Sequence, residues 1–378
     1  MKKESYKIKN TLGMFDLLKG CMMFLMIMAH TYGLFDLAYG YESFEAFVAA
    51  TNPVILFLLL VFAVAGEAAM PILFVVSGYG YRKTTFKKCV TKQAKMLLYP
   101  YAVTAGLTVV IHFLFYNFHY RTGIREAAVL SFEKLVGFGL GLADTINILG
   151  HPTGICGPMW FLIALFTGNV IFNQLLQHFE GLKLFIAALV VALIGWVLGL
   201  FGPVVFVIPQ SLIAVFYICL GYLIKKNKLF TTNKKPTARI ILILLILAAH
   251  LIMRCFGEYN LALNDFTFGP ISIIVCGLSA CVITYLFLYL NRISGKISGF
   301  IRQIGRYSLY VLAIHTIEII AIGAYVQYEF VNNFKGNHYV ASWTVFGVRL
   351  VVVLFFTFLY VKLKDRITNK LEKRNAVN

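Results

Sequence analysis

Lys19 and His30 stand eleven residues apart in the first apolar run of this chain. Charged and titratable groups are costly to hold at membrane depth, so such residues are functional candidates before any motif is considered. Eleven residues is close to three turns at about 3.6 residues per turn, which puts both side chains on one helix face, roughly 16 Å apart along the axis. Asp16 lies three residues before Lys19, within pairing reach on that face. The first helix is therefore expected to carry one polar stripe through apolar surroundings. His30 titrates ordinarily near neutrality, which suits a general base that takes a proton from a hydroxyl. The competing reading is a histidine satisfied inside a helix bundle. Lys19 either lets its ammonium reach the membrane interface along its own stem or holds an anion. Asp16 either orients Lys19 and a helix end or simply pairs near the interface.

The elements that must position these groups follow from hydropathy. Hydrophobic residues make up 60% of the 378-residue chain and charged ones 13%, and the mean hydropathy is +0.80. Apolar runs of membrane-spanning length, about 20 residues each, recur from end to end. The net charge of +18 does not point to nucleic acid, because the basic residues cluster between apolar runs in the positive-inside pattern. The expected fold is all-α, a polytopic membrane protein of about ten transmembrane helices with both termini cytoplasmic. The expected spans are 13–35, 53–81, 96–118, one opening at Met159-Trp160, then 184–200, 204–224, 240–256, 269–290, 307–330 and 343–361. The second is long enough to need a bend, with Gly66 and Pro71 as candidate points. The stretch from Tyr120 to Pro158 is expected outside, with 136–142 either interfacial or re-entrant. On this topology all but six of the 34 Lys and Arg fall on the cytoplasmic side. The six are Arg121, Arg125, Lys134, Arg254, Lys335 and Arg349. Residues 1–12 are read as a cytoplasmic segment, 13–362 as one transmembrane domain and 363–378 as a basic cytoplasmic tail. The first run is too long for a cleaved signal and is expected to remain as a helix. The seven cysteines show no paired spacing and are read as reduced, with no zinc site.

Four pieces of the chain together resemble the acyltransferase-3 family of integral-membrane acyltransferases. Asp16-Leu-Leu-Lys19-Gly20 followed by ten residues and His30 resembles the family's first-helix motif of a basic residue, ten residues and a histidine. Lysine in place of the commoner arginine is closest in style to the branch resembling fucose 4-O-acetylases. Met70-Pro71-Ile-Leu-Phe-Val-Val-Ser77-Gly78-Tyr79 looks like the Met-Pro to Ser-Gly-Tyr run. Gly157-Pro158-Met159-Trp160-Phe161-Leu162 is similar to the Trp-Phe-Leu entry to a mid-chain helix. Gly305-Arg306-Tyr307-Ser308-Leu309-Tyr310 through His315 is similar to the late Ser-aromatic-His segment.

The resemblance covers about residues 10 to 362. It implies an enzyme that takes an acyl group, usually acetyl, from cytoplasmic acyl-CoA to a hydroxyl of a cell-surface glycan or lipid-linked sugar. Acetyl-CoA or another short acyl-CoA is then a co-substrate, with no permanently bound cofactor and no metal. The expected setting is the cytoplasmic membrane of a bacterium. His30 becomes the general base, and Lys19 holds a CoA phosphate or positions the donor. Glu67, at a depth similar to His30, is expected to orient the imidazole as a carboxylate does in hydrolytic triads. Arg82, Lys83 and Lys87 follow the Ser-Gly-Tyr run, where a basic cluster would raise the local CoA concentration; a basic loop set by topology alone is the alternative. Ser77 and Tyr79 fall in the donor region, Ser77 as a close-packing residue rather than a nucleophile. Trp160 stacks on a sugar, lines a tunnel or anchors at the interface. His315 is a second acid/base or acceptor-binding candidate, and His151 an acceptor contact from the outer loop. His112, His119, His178, His250 and His338 have no motif support. The rival class is a transporter or flippase that exports a glycan or lipid precursor.

Overall fold

The computed structural model describes residues 12–31, 44–148, 150–230, 236–323, 325–326 and 338–375. The expected N-terminal segment to residue 11, residues 32–35 of the expected first span, residues 36–43, residues 324 and 327–330 of the expected span 307–330, and Lys234, Lys235 and Lys335 lie outside the described residues. The described residues are helical almost throughout, with two short antiparallel hairpins among them. Among the described residues seven helices are long and apolar enough to cross a membrane, or up to nine if each of two bent pairs is one span. The chain is thus a multi-pass membrane protein.

Helix α1 (Met14–Ala29) opens the bundle. Its first turn is tied back by Asp16, whose Oδ2 accepts from the Leu12 N–H, a side chain at the third helical position capping the entering chain. The short α2 (Phe44–Ala50) leads to α3 (Pro53–Glu67), where Asn52 caps the helix through Val54 N at 2.9 Å. Next is α4 (Ala69–Gly80), bent from α3 by 45°. The break falls at Ala68, between the two residues expected to allow it. Proline has no N–H for the fourth residue before it, so Pro71 leaves the Glu67 carbonyl without its helical donor. Cys276 Sγ donates to that carbonyl at 3.7 Å.

Then come α5 (Phe86–Gln93), a π-turn (Ala94–Leu98) and α6 (Tyr99–Phe118), one span of 33 residues. It begins ten residues before the expected start at Met96. Pro100 clashes with the carbonyl four residues earlier, and the π-turn relieves that clash. The stretch between Tyr120 and Pro158 forms α7 (Ile124–Leu140), stopped by Gly141 at φ +59°, and the hairpin of β1 (Asn147–Ile148) with β2 (His151–Pro152). Helices α8 (Trp160–His178), α9 (Gly181–Gly199), α10 (Ile208–Lys226) and α11 (Pro236–Phe256) follow. A second hairpin, β3 (Tyr259–Asn260) with β4 (Asp265–Phe266), leads to α12 (Pro270–Leu290). Helix α13 (Lys296–Arg306) meets α14 (Ser308–Ile317) at a 72° bend, and α14 continues as a π-turn (Glu318–Ile322). The last helix, α15, runs His338–Asn375.

The core is built where backbones touch. A Cβ on Gly305 of α13 would lie 1.8 Å from the Asp16 carbonyl of α1, and one on Gly20 would lie 2.1 Å from the Ile301 carbonyl. Gly78 of α4 and Gly221 of α10 meet the facing backbones at 1.9 Å in the same sense. Small residues at such crossings let membrane helices approach closely, which gives the motif glycines Gly20, Gly78 and Gly305 a packing role. By contrast α11 leaves Ile240, Ile241, Leu242, Leu244 and Leu245 exposed, as a lipid-facing helix must.

Candidate active site

Four helical stretches each line both of two cavities stacked along one cleft. The smaller, about 200 Å³, has Lys19 and Met23 from α1, Met70, Leu73, Val76 and Ser77 from α4, Phe161 and Leu162 from α8, and Ser308, Leu309 and Leu312 from α14. In the larger, about 810 Å³, the same four walls continue. They supply Met26 and His30 from α1, Ala69 and Met70 from α4, Trp160 with Gly157 and Pro158 just before α8, and Ile319 and Ile320 just after α14. The sequence order on every wall agrees with one passage, with Lys19 at one end and His30 at the other. Met70 lines both cavities. The break at Ala68 sets Met70 there, at the start of α4.

At the first end, Lys19 Nζ lies 3.1 Å from Asp16 Oδ1, and the carboxylate is almost fully buried. Asp16 thus orients Lys19 and holds the helix end at once. Ser77 Oγ donates to Asn169 Oδ1 at 3.4 Å and also faces the small cavity. Tyr79 packs between Phe15 and Phe230 with Lys225 over its ring, so its faces are taken. Arg82, Lys83 and Lys87 are exposed beyond the C-terminal end of α4, on the Lys19 side of the cleft.

At the other end His30 sits just past α1, as its C-cap. Its Nδ1 lies 2.8 Å from the Met26 carbonyl and 3.4 Å from His315 Nε2. A carbonyl only accepts, so Nδ1 carries a proton, and in the neutral imidazole Nε2 then keeps its lone pair. Behind His30, His315 Nδ1 lies 3.2 Å from Glu318 Oε2, and Glu318 Oε1 lies 3.2 Å from Arg349 Nε. Arg349 closes the loop by donating to the backbone carbonyl of His30 itself, and it reaches the Gly323 carbonyl at 3.4 Å. All three side chains are buried, at 0% for His315, 4% for Glu318 and 2% for Arg349.

Glu67 does not make the contact expected of it. Its Oε2 is 3.1 Å from His250 Nε2, its Oε1 is 3.2 Å from Arg254 Nε, and Tyr259 N–H donates to Oε1 at 3.4 Å. It shares the large cavity with His30, but the carboxylate standing behind the imidazole pair is Glu318. Equal depth brought Glu67 to the right level of the bundle; the bend at Ala68 goes with a carboxylate bonded to α11 instead. Trp160 is buried in the cavity wall, which fits a lining residue and not an interface anchor. His315 backs His30 and does not face the cavity. His151 is exposed on its hairpin, apart from the residues that line either cavity.

An acyltransferase domain family, acyltransferase-3, matches residues 13–362. The chain belongs to this family. The match decides between the two classes that the sequence left open, and the protein is a membrane acyltransferase. No curated protein and no solved structure gives a significant match.

Sequence reasoning missed Glu318, Arg349, His250 and Arg254. Two signals were available. Glu318 lies three residues after His315, the spacing of neighbours on one helix face. Arg254 and Arg349 were two of the six cations that the charge bias could not place, and cations at membrane depth need partners.

Proposed function

We propose that this family member moves an acyl group, acetyl being the smallest, from acyl-CoA entering at the Lys19 end to a hydroxyl held in the large cavity. The observation that carries this reading is the cleft itself: a cation at one end, an imidazole bonded through Nδ1 at the other, and apolar walls between. Lys19, with Arg82, Lys83 and Lys87 outside, faces the cytoplasm and attracts the CoA phosphates. The apolar small cavity takes the neutral arm that carries the thioester. The large cavity offers Trp160, Tyr116, Glu67 and Asn260 to an acceptor. Such a wall, one aromatic face with hydroxyl-binding groups around it, suits a sugar of a glycan or lipid-linked precursor in a cytoplasmic membrane.

In the reaction His30 Nε2 takes the acceptor's hydroxyl proton while the oxygen attacks the thioester carbonyl. The tetrahedral intermediate collapses, the C–S bond breaks, and the CoA sulfur leaves with the proton that Nε2 had taken. The products are an ester and free CoA thiol. While His30 is positively charged, the Glu318 carboxylate lies behind it through His315, as the aspartate stands behind the histidine of a hydrolytic triad. Arg349 neutralises Glu318 between turnovers and fixes the His30 backbone.

The test is thiol release from acetyl-CoA by the purified protein in detergent, with and without candidate sugars, for wild type and His30→Gln. Wild type should release CoA, faster with an acceptor, and His30→Gln should lose about 10²–10⁴-fold, the usual worth of a positioned general base. Unchanged release by His30→Gln would remove the assignment of the base.

A further inference from the structure

Met70 stands where the two cavities meet, and it is the lining residue they share among the described residues. The neighbouring wall positions change over at the same level. Met23 on α1 faces the small cavity and Met26, one turn on, the large one; Phe161 on α8 faces the small cavity and Trp160 the large one. At this level methionine and aromatic side chains bound the passage on three walls, and Leu312 and Ile319 flank it on the fourth. Met70 is partly buried, not locked into the core. A methionine is unbranched, with three rotatable bonds, and yields around a guest more readily than leucine or phenylalanine.

We infer that Met70 is the specificity-determining residue for acyl-chain length. The inference rests on the donor route proposed above. A thioester that arrives from the Lys19 end leads with its acyl group. That group must pass Met70 before its carbonyl comes within reach of His30. A short acyl group passes under the thioether. Met70 also lines the large cavity, so an acyl chain that has passed still lies against its thioether, and each added methylene must displace it further. Discrimination arises at the neck and not at the His30 end. One methylene in such a contact is worth about 10–200-fold.

The experiment measures kcat/KM for acetyl-CoA and butyryl-CoA, with the same acceptor, in full-length wild type, Met70→Ala and Met70→Phe. Thermal unfolding of each variant is followed alongside. Met70→Ala should raise the butyryl-to-acetyl ratio by at least about tenfold, chiefly through faster use of butyryl-CoA. Met70→Phe should lower the ratio below that of wild type. If Met70→Ala does not fold, the fall in Met70→Phe still decides the matter. A ratio unchanged within about twofold in the folded variants would overturn the inference while leaving the acyltransferase reading intact. Wild type that consumes neither thioester would remove that reading and this inference together, and the two failures are therefore distinct.

Discussion

Two His–Glu–Arg sets stand near one cavity. One is His315, Glu318 and Arg349; the other is His250, Glu67 and Arg254. In both a carboxylate lies between an imidazole and a guanidinium at 3.1–3.2 Å. The difference is what each faces. The first touches a third histidine, His30, and is sealed from the cavity. The second turns its carboxylate and Arg254 into the cavity, and Arg254 continues toward the exposed Glu258 at 3.7 Å. A sealed carboxylate can act only through the side chain in front of it. An open one can meet an incoming molecule. The same three residue types thus back His30 on one wall and stand open to the cavity on the other.

Exchanging each glutamate for glutamine sharpens this contrast most. Glu318→Gln keeps the volume and removes the charge behind the imidazole pair. Its kcat should fall by about 10²–10³-fold with both KM values nearly unchanged, because the loss is confined to the charged state of His30. Glu67→Gln should instead raise the acceptor KM, by about tenfold, the worth of a charged hydrogen bond to one hydroxyl. Steady-state kinetics with both substrates varied separates the two patterns. Equal kcat losses in the two variants would erase the distinction and restore Glu67 to the role first expected of it.

The arginines break the comparison in stability. Arg349 is sealed beside Glu318, so Arg349→Met leaves a buried carboxylate without its counter-charge. Removing one partner of such a pair typically costs about 3–5 kcal/mol. Arg254→Met leaves Glu67 with His250, with the Tyr259 N–H and with cavity water, and should cost no more than about 1–3 kcal/mol. Thermal unfolding in detergent should rank Arg349→Met well below Arg254→Met. The double variant Arg349→Met with Glu318→Gln should recover part of the loss. A buried neutral pair is cheaper than an orphaned charge.

How far this was legible in the sequence follows from the range of each signal. Hydropathy is local, so the helical, membrane-spanning class and the polar stripe of α1 could be read directly, and the ion pair of Asp16 with Lys19 is a contact within one turn. The bend near Pro71 was also local, since the missing N–H belongs to one residue. What lay out of reach was azimuth, the direction each face takes after a bend. Glu67 and His30 share a depth, yet the bonds of Glu67 go to α11, 183 residues later in the chain for His250. Arg349 reaches His30 across 319 residues. No periodicity records such a pairing. The charge bias nevertheless flagged Arg254 and Arg349 as misplaced cations. Lys134, a third of the six, lines the large cavity. Arg121 and Arg125 are exposed and line neither cavity.

The smallest expected effect concerns the other end of the cleft. Lys19 is about one-fifth exposed, and its partner Asp16 is sealed and also bonded to Leu12. Lys19→Met keeps the stem that lines the small cavity and removes only the ammonium. It should raise the donor KM by about three- to tenfold, with kcat and acceptor KM unchanged, because a phosphate contact is made equally before and during reaction. The wild-type donor KM should itself rise with salt, and the variant's should rise less steeply, since one screened attraction is gone. Asp16→Asn separates the two duties of that carboxylate. It keeps an oxygen to accept from Leu12 N–H while releasing Lys19, so its kinetics should move toward those of Lys19→Met with a smaller change in thermal stability than Asp16→Ala. A kcat loss in Lys19→Met as large as that of Glu318→Gln would place the lysine at the reacting carbonyl. The cleft would then no longer have a binding end and a chemical end.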